Sequence, residues 1–151
     1  MNYSDFIDMR GITLQMGIEA TNTWNTRTTA NKVWVDICWS PELGIFCAIC
    51  STAGTNTVMT SPDGINWTNT ATTPNTLSQN WKKICWSSEL GLFVVVANNV
   101  TALSVMTSPD GTNWTARTTP SSQWWSICWS AELGIFCAVN AGASGALTSK
   151  M

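Results

Sequence analysis

From about residue 21 onwards, short apolar runs alternate with short polar turns, and no window places apolar residues at helical spacing. TWNTRTT (residues 23–29) is Trp-led and threonine-rich, and alternates like a strand with one wet face. VWVDICWS, dense in Trp, Ile and Cys, predicts a second strand, and SPELG after it predicts a tight turn. GIFCAIC is apolar at every position, which predicts a strand buried on both faces. TVMTS predicts a fourth strand. The same succession returns as NWTNTAT, NWKKICWS, SSELG, GLFVVVA and LSVMTS, and again as NWTARTT, QWWSICWS, SAELG, GIFCAVN and GALTS.

The recurrence has a fixed period. Trp39, Trp86 and Trp129 are separated by 47 and 43 residues, and Trp24, Trp67 and Trp114 by 43 and 47. Units of this length with four short strands and Trp and Gly at constant offsets are the pattern of β-propeller blades, whereas β-helical solenoids use shorter units. The expected fold is therefore all-β, a propeller of four-stranded antiparallel blades. Residues 1–20 stand outside the repeat, and residues 21–151 make about three blades. Blade 1 covers about residues 32–73, blade 2 about 80–119, and blade 3 about 123–149, with residues 23–29 as its outer strand. Closed propellers typically hold about four to eight blades. Three leave two raw flanks, so the expected partner is a second copy, a homodimer giving six blades.

The fourth strand of each complete unit runs into SPDGINWT or SPDGTNWT. These segments resemble the Asp-box of the BNR-repeat, sialidase-like propellers, a family that includes repeat proteins of phages and large viruses. Matched by position are Ser61, Asp63, Gly64 and Trp67, then Ser108, Asp110, Gly111 and Trp114, with one residue fewer between Asp and Trp than in the usual box. The resemblance implies a structural loop. Proline presets the first turn angle, glycine permits the positive one, and the aspartate accepts backbone N–H groups. The tryptophan then packs between blades.

Composition narrows the function. With 7 basic and 9 acidic residues and a net charge of −2, the chain is not expected to bind nucleic acid or anionic membrane by charge. It has no histidine, which removes the commonest general base and metal ligand. No apolar run reaches bilayer length, and Asp5 and Asp8 lie where a secretory leader would be basic. The expectation is a cytoplasmic or virion-associated protein.

Cys38, Cys85 and Cys128 share one slot, and Val94 replaces cysteine in the slot of Cys47 and Cys137, so the thiols read as small core residues. No metal or cofactor is expected. Sialidase chemistry needs several convergent arginines and a tyrosine. Here there are only Arg10, Arg27 and Arg117, and the single Tyr3 lies outside the repeat. The chain reads as non-catalytic, a structural or interaction scaffold.

The alternative is a lectin. Connections at the end opposite the SPELG and SPDG turns vary in length and carry Asn98, Asn99, Asn140 and Gln123. With Trp125 these suit a neutral glycan, which takes amides for its hydroxyls and an aromatic face for its C–H side.

Overall fold

The computed structural model describes residues 24–52, 54, 56–70, 80–99, 101–142 and 145–149. The expectations for residues 1–20, Tyr3 and Arg10 among them, lie outside these. The described residues form eleven strands and no helix. β1 (Trp34–Ser40), β2 (Ile45–Cys50), β3 (Val58–Ser61) and β4 (Thr68–Thr70) pair in sequence order as an antiparallel meander. β5 (Trp81–Ser87), β6 (Leu92–Asn99), β7 (Val105–Ser108) and β8 (Thr115–Arg117) repeat it. β9 (Ser122–Ser130), β10 (Ile135–Asn140) and β11 (Ala146–Ser149) repeat its first three strands. We refer to these as units 1, 2 and 3.

Each first hairpin closes on the same turn. In unit 1 the Gly44 amide donates to the Ser40 carbonyl at 2.9 Å and the Leu43 amide to Ser40 Oγ at 3.2 Å, with Gly44 at φ 63°. Only glycine takes that angle without cost. The turn sets a register that places Trp39 opposite Phe46, Trp86 opposite Phe93 and Trp129 opposite Phe136. These ring pairs lie 4.5, 4.5 and 4.6 Å apart, tilted by 51–55°. Four residues before that tryptophan, each first strand bulges. Val35, Lys82 and Trp125 are the extra residues, so their side chains are re-aimed out of the ladder.

The units stack flank to flank, and their core lies in the two seams. Cys47, Ile49 and Val58 of unit 1 meet Ile84, Phe93 and Trp114 of unit 2. Val94, Val96 and Val105 of unit 2 meet Trp124, Ile127 and Phe136 of unit 3. Three equivalent copies act as internal controls for what a neighbour does. Ile84 and Ile127, each facing a preceding unit, are 3% and 7% exposed, but Ile37 in the same slot of unit 1 is 51% exposed. On the other flank, Ile49 and Val96 are fully buried while Val139 of unit 3 is 48% exposed.

The structure corrects the sequence reading in three places. GIFCAVN is not buried on both faces as its sister strands are, because among the described residues no unit covers the far flank of unit 3. Trp67 is only half-buried where Trp114 is buried, since among the described residues unit 1 has no unit in front of it. The cysteines are free but not uniformly core: Cys47 and Cys50 are buried, Cys38, Cys85 and Cys137 half-buried, and Cys128 exposed. Burial pushes the Cys38, Cys47 and Cys85 thiols up, Cys85 to about 11, which keeps them protonated. Units 2 and 3 are also hydrogen-bonded to each other, β6 to β9, through Asn98 opposite Gln123 and Asn99 opposite Ser122.

Trp114→Ala should lower the unfolding free energy by about 3–5 kcal/mol, the range for a buried aromatic. Trp67→Ala, measured by urea denaturation of dilute protein, should cost clearly less. An equal cost at both positions would contradict the open flank.

Candidate functional site

The SPDG loops are the most regular local structures in the chain. Asp63 Oδ1 accepts the amides of Ile65 and Asn66, each at 2.8 Å, and the Ser61 hydroxyl at 3.0 Å. Its Oδ2 accepts Asn66 Nδ2 at 2.8 Å. Ser61 Oγ in turn takes the Gly64 amide at 2.9 Å, and Trp67 Nε1 donates to the Gly64 carbonyl at 3.3 Å. Ser108, Asp110, Gly111 and Trp114 reproduce the set, with Asn113 in the place of Asn66. Backbone amides of Asn66 and Ile65 hold the Asp63 carboxyl well below the usual range. At Asp110 burial pulls the other way, but the Asn113 and Thr112 hydrogen bonds prevail and the carboxyl is again depressed. Both carboxylates are consumed within their own loops. The loop of unit 2 also approaches unit 1 closely: a Cβ on Gly111 would stand 3.1 Å from Thr60 Cγ2.

Polar links join the units at the same end. Trp86 Nε1 donates to Glu42 Oε2 and Trp129 Nε1 to Glu89 Oε2, both at 2.7 Å. The glutamate of each turn thus holds the tryptophan of the following unit. Glu132 occupies the same position in unit 3 and takes the Ser130 hydroxyl at 3.2 Å. Trp39, the matching donor of unit 1, is partly exposed and stacks on Phe46. A further link belongs to units 1 and 2 alone, where Asp36 pairs with Lys83 Nζ at 3.0 Å and accepts the Ile84 amide at 2.8 Å.

The opposite end gathers the amide residues. Asn98, Asn99, Gln123 and Asn140 lie together where β6, β9 and β10 meet. Several are occupied within their own units: Asn140 Nδ2 donates to Ser122 Oγ at 2.8 Å, Asn99 Oδ1 accepts the Asn80 amide at 3.4 Å, and the Gln123 carbonyl accepts the Ala141 amide at 2.9 Å. Asn98 Oδ1 is buried with no partner among the described residues. Trp125 is half-exposed in the bulge slot, with Lys82 Nζ 5.1 Å from its ring centre. Lys82 escaped the sequence reading because a bulge cannot be seen in strand alternation.

An apolar recess lies between units 2 and 3 at their outer edge. Its volume is about 500 Å3, and Leu92, Val94, Val105, Ile127, Phe136 and Leu147 supply its apolar wall, with Arg117 at its rim. Arg117 is held by Thr107 Oγ1, which accepts its Nε at 2.9 Å. Arg27 lies in a shallow polar recess with Asn66, Trp67 and Thr68, so the two arginines do not converge. Among the described residues no three Cys, Asp or Glu side chains come together as a metal site requires.

The depressed carboxyls make stability depend on pH. A folded pKa below the unfolded one contributes stability that is whole above the unfolded carboxylate's value of about 4 and drains away as pH falls towards the folded value. Denaturation from pH 6 down to 2 should therefore show a progressive loss. The double variant Asp63→Asn, Asp110→Asn should start less stable and lose less over that window. Identical slopes for the two proteins would mean the loops do not carry the effect.

No family model matches the chain, and no curated protein matches it. Its fold is similar to the WD40 β-propeller domain of Doa1, at 15% sequence identity and a TM-score of 0.57, over 83% of this chain. The chain spans 40% of that structure's length. The described residues therefore have the architecture of part of a β-propeller, built from antiparallel sheets packed flank to flank.

Proposed function

We propose that this chain is a non-catalytic, self-assembling β-propeller that serves as a structural or interaction scaffold, with a homodimer completing six blades. The observation that carries this reading is the contrast among equivalent slots. Positions buried wherever a neighbouring unit is present are open at the two ends of the row, Ile37 on one flank and Val139 on the other. The flanks are complementary in polar groups too, since unit 1 presents an indole donor at Trp39 and unit 3 a carboxylate at Glu132. Internal seams join such a pair twice. Exposed apolar flanks of this kind mark interaction surfaces.

The SPDG loops support membership of the Asp-box, BNR-type propellers, and with it a place among the repeat proteins of phages and large viruses. Their aspartates serve the loop, each carboxylate taken up by donors of its own turn.

A glycan-binding role is the second reading, favoured by the half-exposed Trp125 beside Gln123. Retention on a broad glycan array that is lost on Trp125→Ala would establish it, and no binding across the array would remove it.

Native mass measurement of the full chain should give twice 16.4 kDa. Trp39→Phe keeps the ring on Phe46 but removes the indole N–H, so association should weaken roughly tenfold, as for loss of a hydrogen bond to a charged group. A single-chain mass at every concentration would sink the reading.

A further inference from the structure

Units 1 and 2 each carry a stack of three rings, and unit 3 carries two. Phe46 touches Trp67 at 6.3 Å between centroids and Phe93 touches Trp114 at 6.5 Å, both tryptophans leading into the fourth strand. Among the described residues Phe136 has only Trp129. The recess of about 500 Å3 lies beside Phe136, walled by Leu92 and Val94. One seam earlier, the corresponding residues Ile45 and Cys47 lie against the loop that carries Trp114, within 3.4 and 3.7 Å of where a Gly111 Cβ would stand. The recess is a tryptophan seat. Along its rim, the outer edge of β11 has no strand beside it among the described residues.

The chain also holds a tryptophan without a seat. Trp24 is 99% exposed, and the residues after it, up to Ala30, belong to no strand. Trp24 precedes Trp34 by the same ten residues that separate Trp114 from Trp124, where the outer strand of unit 2 leads into the first strand of unit 3. By that spacing Trp24 begins the outer strand of a unit standing in front of unit 1. Unit 3 lies at the other end of the row, so the segment faces a second copy's unit 3 and not its own.

We infer that residues 24–29 of one copy form the fourth strand of unit 3 in the other, with Trp24 filling the recess between units 2 and 3. This rests on the self-association proposed above and adds the element exchanged. The register follows from β7 and β8, where Thr107 faces Thr115, Met106 faces Ala116 and Val105 faces Arg117. Transferred to β11, Asn25 faces Thr148, Thr26 faces Leu147 and Arg27 faces Ala146. Arg27 then stands to Thr148 as Arg117 stands to Thr107, its Nε donating to the threonine hydroxyl. The two arginines that did not fit a catalytic cluster acquire one shared role, closing an outer strand over an apolar seat.

The test uses the full chain and two readouts. A dilution series followed by native mass should show Trp24→Ala weakening association at least about 30-fold, as for a buried aromatic anchor. Folding of the separated chain should be unaffected, because Trp24 touches nothing there. Hydrogen exchange should find the amides of residues 25–27 protected in the assembly and open in the variant. A peptide of residues 22–31 should bind the Trp24→Ala chain, and the same peptide carrying that substitution should not. If the wild type assembles but Trp24→Ala assembles as tightly and residues 25–27 exchange freely, strand exchange falls while association through the flanks stands. If the wild type never assembles, both fall. Protection of residues 25–27 within a single chain would overturn exchange by placing the strand in its own recess.

Discussion

A four-stranded meander of this chain has two apolar faces and is too thin to bury either by itself, so every unit depends on the flank of another. That dependence organises the sequence. The residues that recur most faithfully, the Trp and Phe of the first hairpin, the SPDG tryptophan and the glutamate of the SPELG-type turn, are those that touch the next unit. Stability in such an array is close to a sum of seams, and a unit at the end of the row has lost one of its two.

The polar groups do different work from the apolar ones. A flat seam between two sheets could slide, because burying apolar area sets no register. The indole-to-carboxylate bonds at 2.7 Å, which join Trp86 to Glu42 and Trp129 to Glu89, fix one unit against the next at one end. At the other end the pairing of β6 with β9 does so for units 2 and 3, and the Asp36 bridge to Lys83 and Ile84 does so for units 1 and 2. The SPDG loop contributes at shorter range. With five donors folded onto one serine hydroxyl and one aspartate, it presents its tryptophan at a fixed angle, so little freedom is lost when that ring enters a seam.

The strands and turns were legible because they rest on local rules: Gly44, Gly91 and Gly134 sit at positive φ and the Trp-led segments recur at constant offsets. The internal chemistry of the SPDG loop was legible for the same reason, since all its partners lie within six residues. What the sequence concealed was relational. Glu42 looks like a turn residue until the next unit places Trp86 against it, and Lys82 and Trp125 look like ordinary strand positions until the bulge turns them outwards. Asn99 and Asn140 look like free amides, yet they are engaged in bonds between strands. Burial differed between equivalent positions with the presence or absence of a neighbouring unit, and no local pattern encodes that.

The contact proposed between the front of unit 1 and the back of another copy's unit 3 would be a head-to-tail one, and such contacts close into rings only when the rotation per copy divides a circle. If the junction copies the internal seams, each copy advances by three equal steps, so a closed ring must hold a multiple of three units. Packing of four-stranded sheets around an axis limits the number to about four to eight, within which six is the only such multiple. A junction that differed from the internal seams would lose this constraint and could propagate as an open filament. The matching indole and carboxylate on the two free flanks are what would hold the rotation to its internal value.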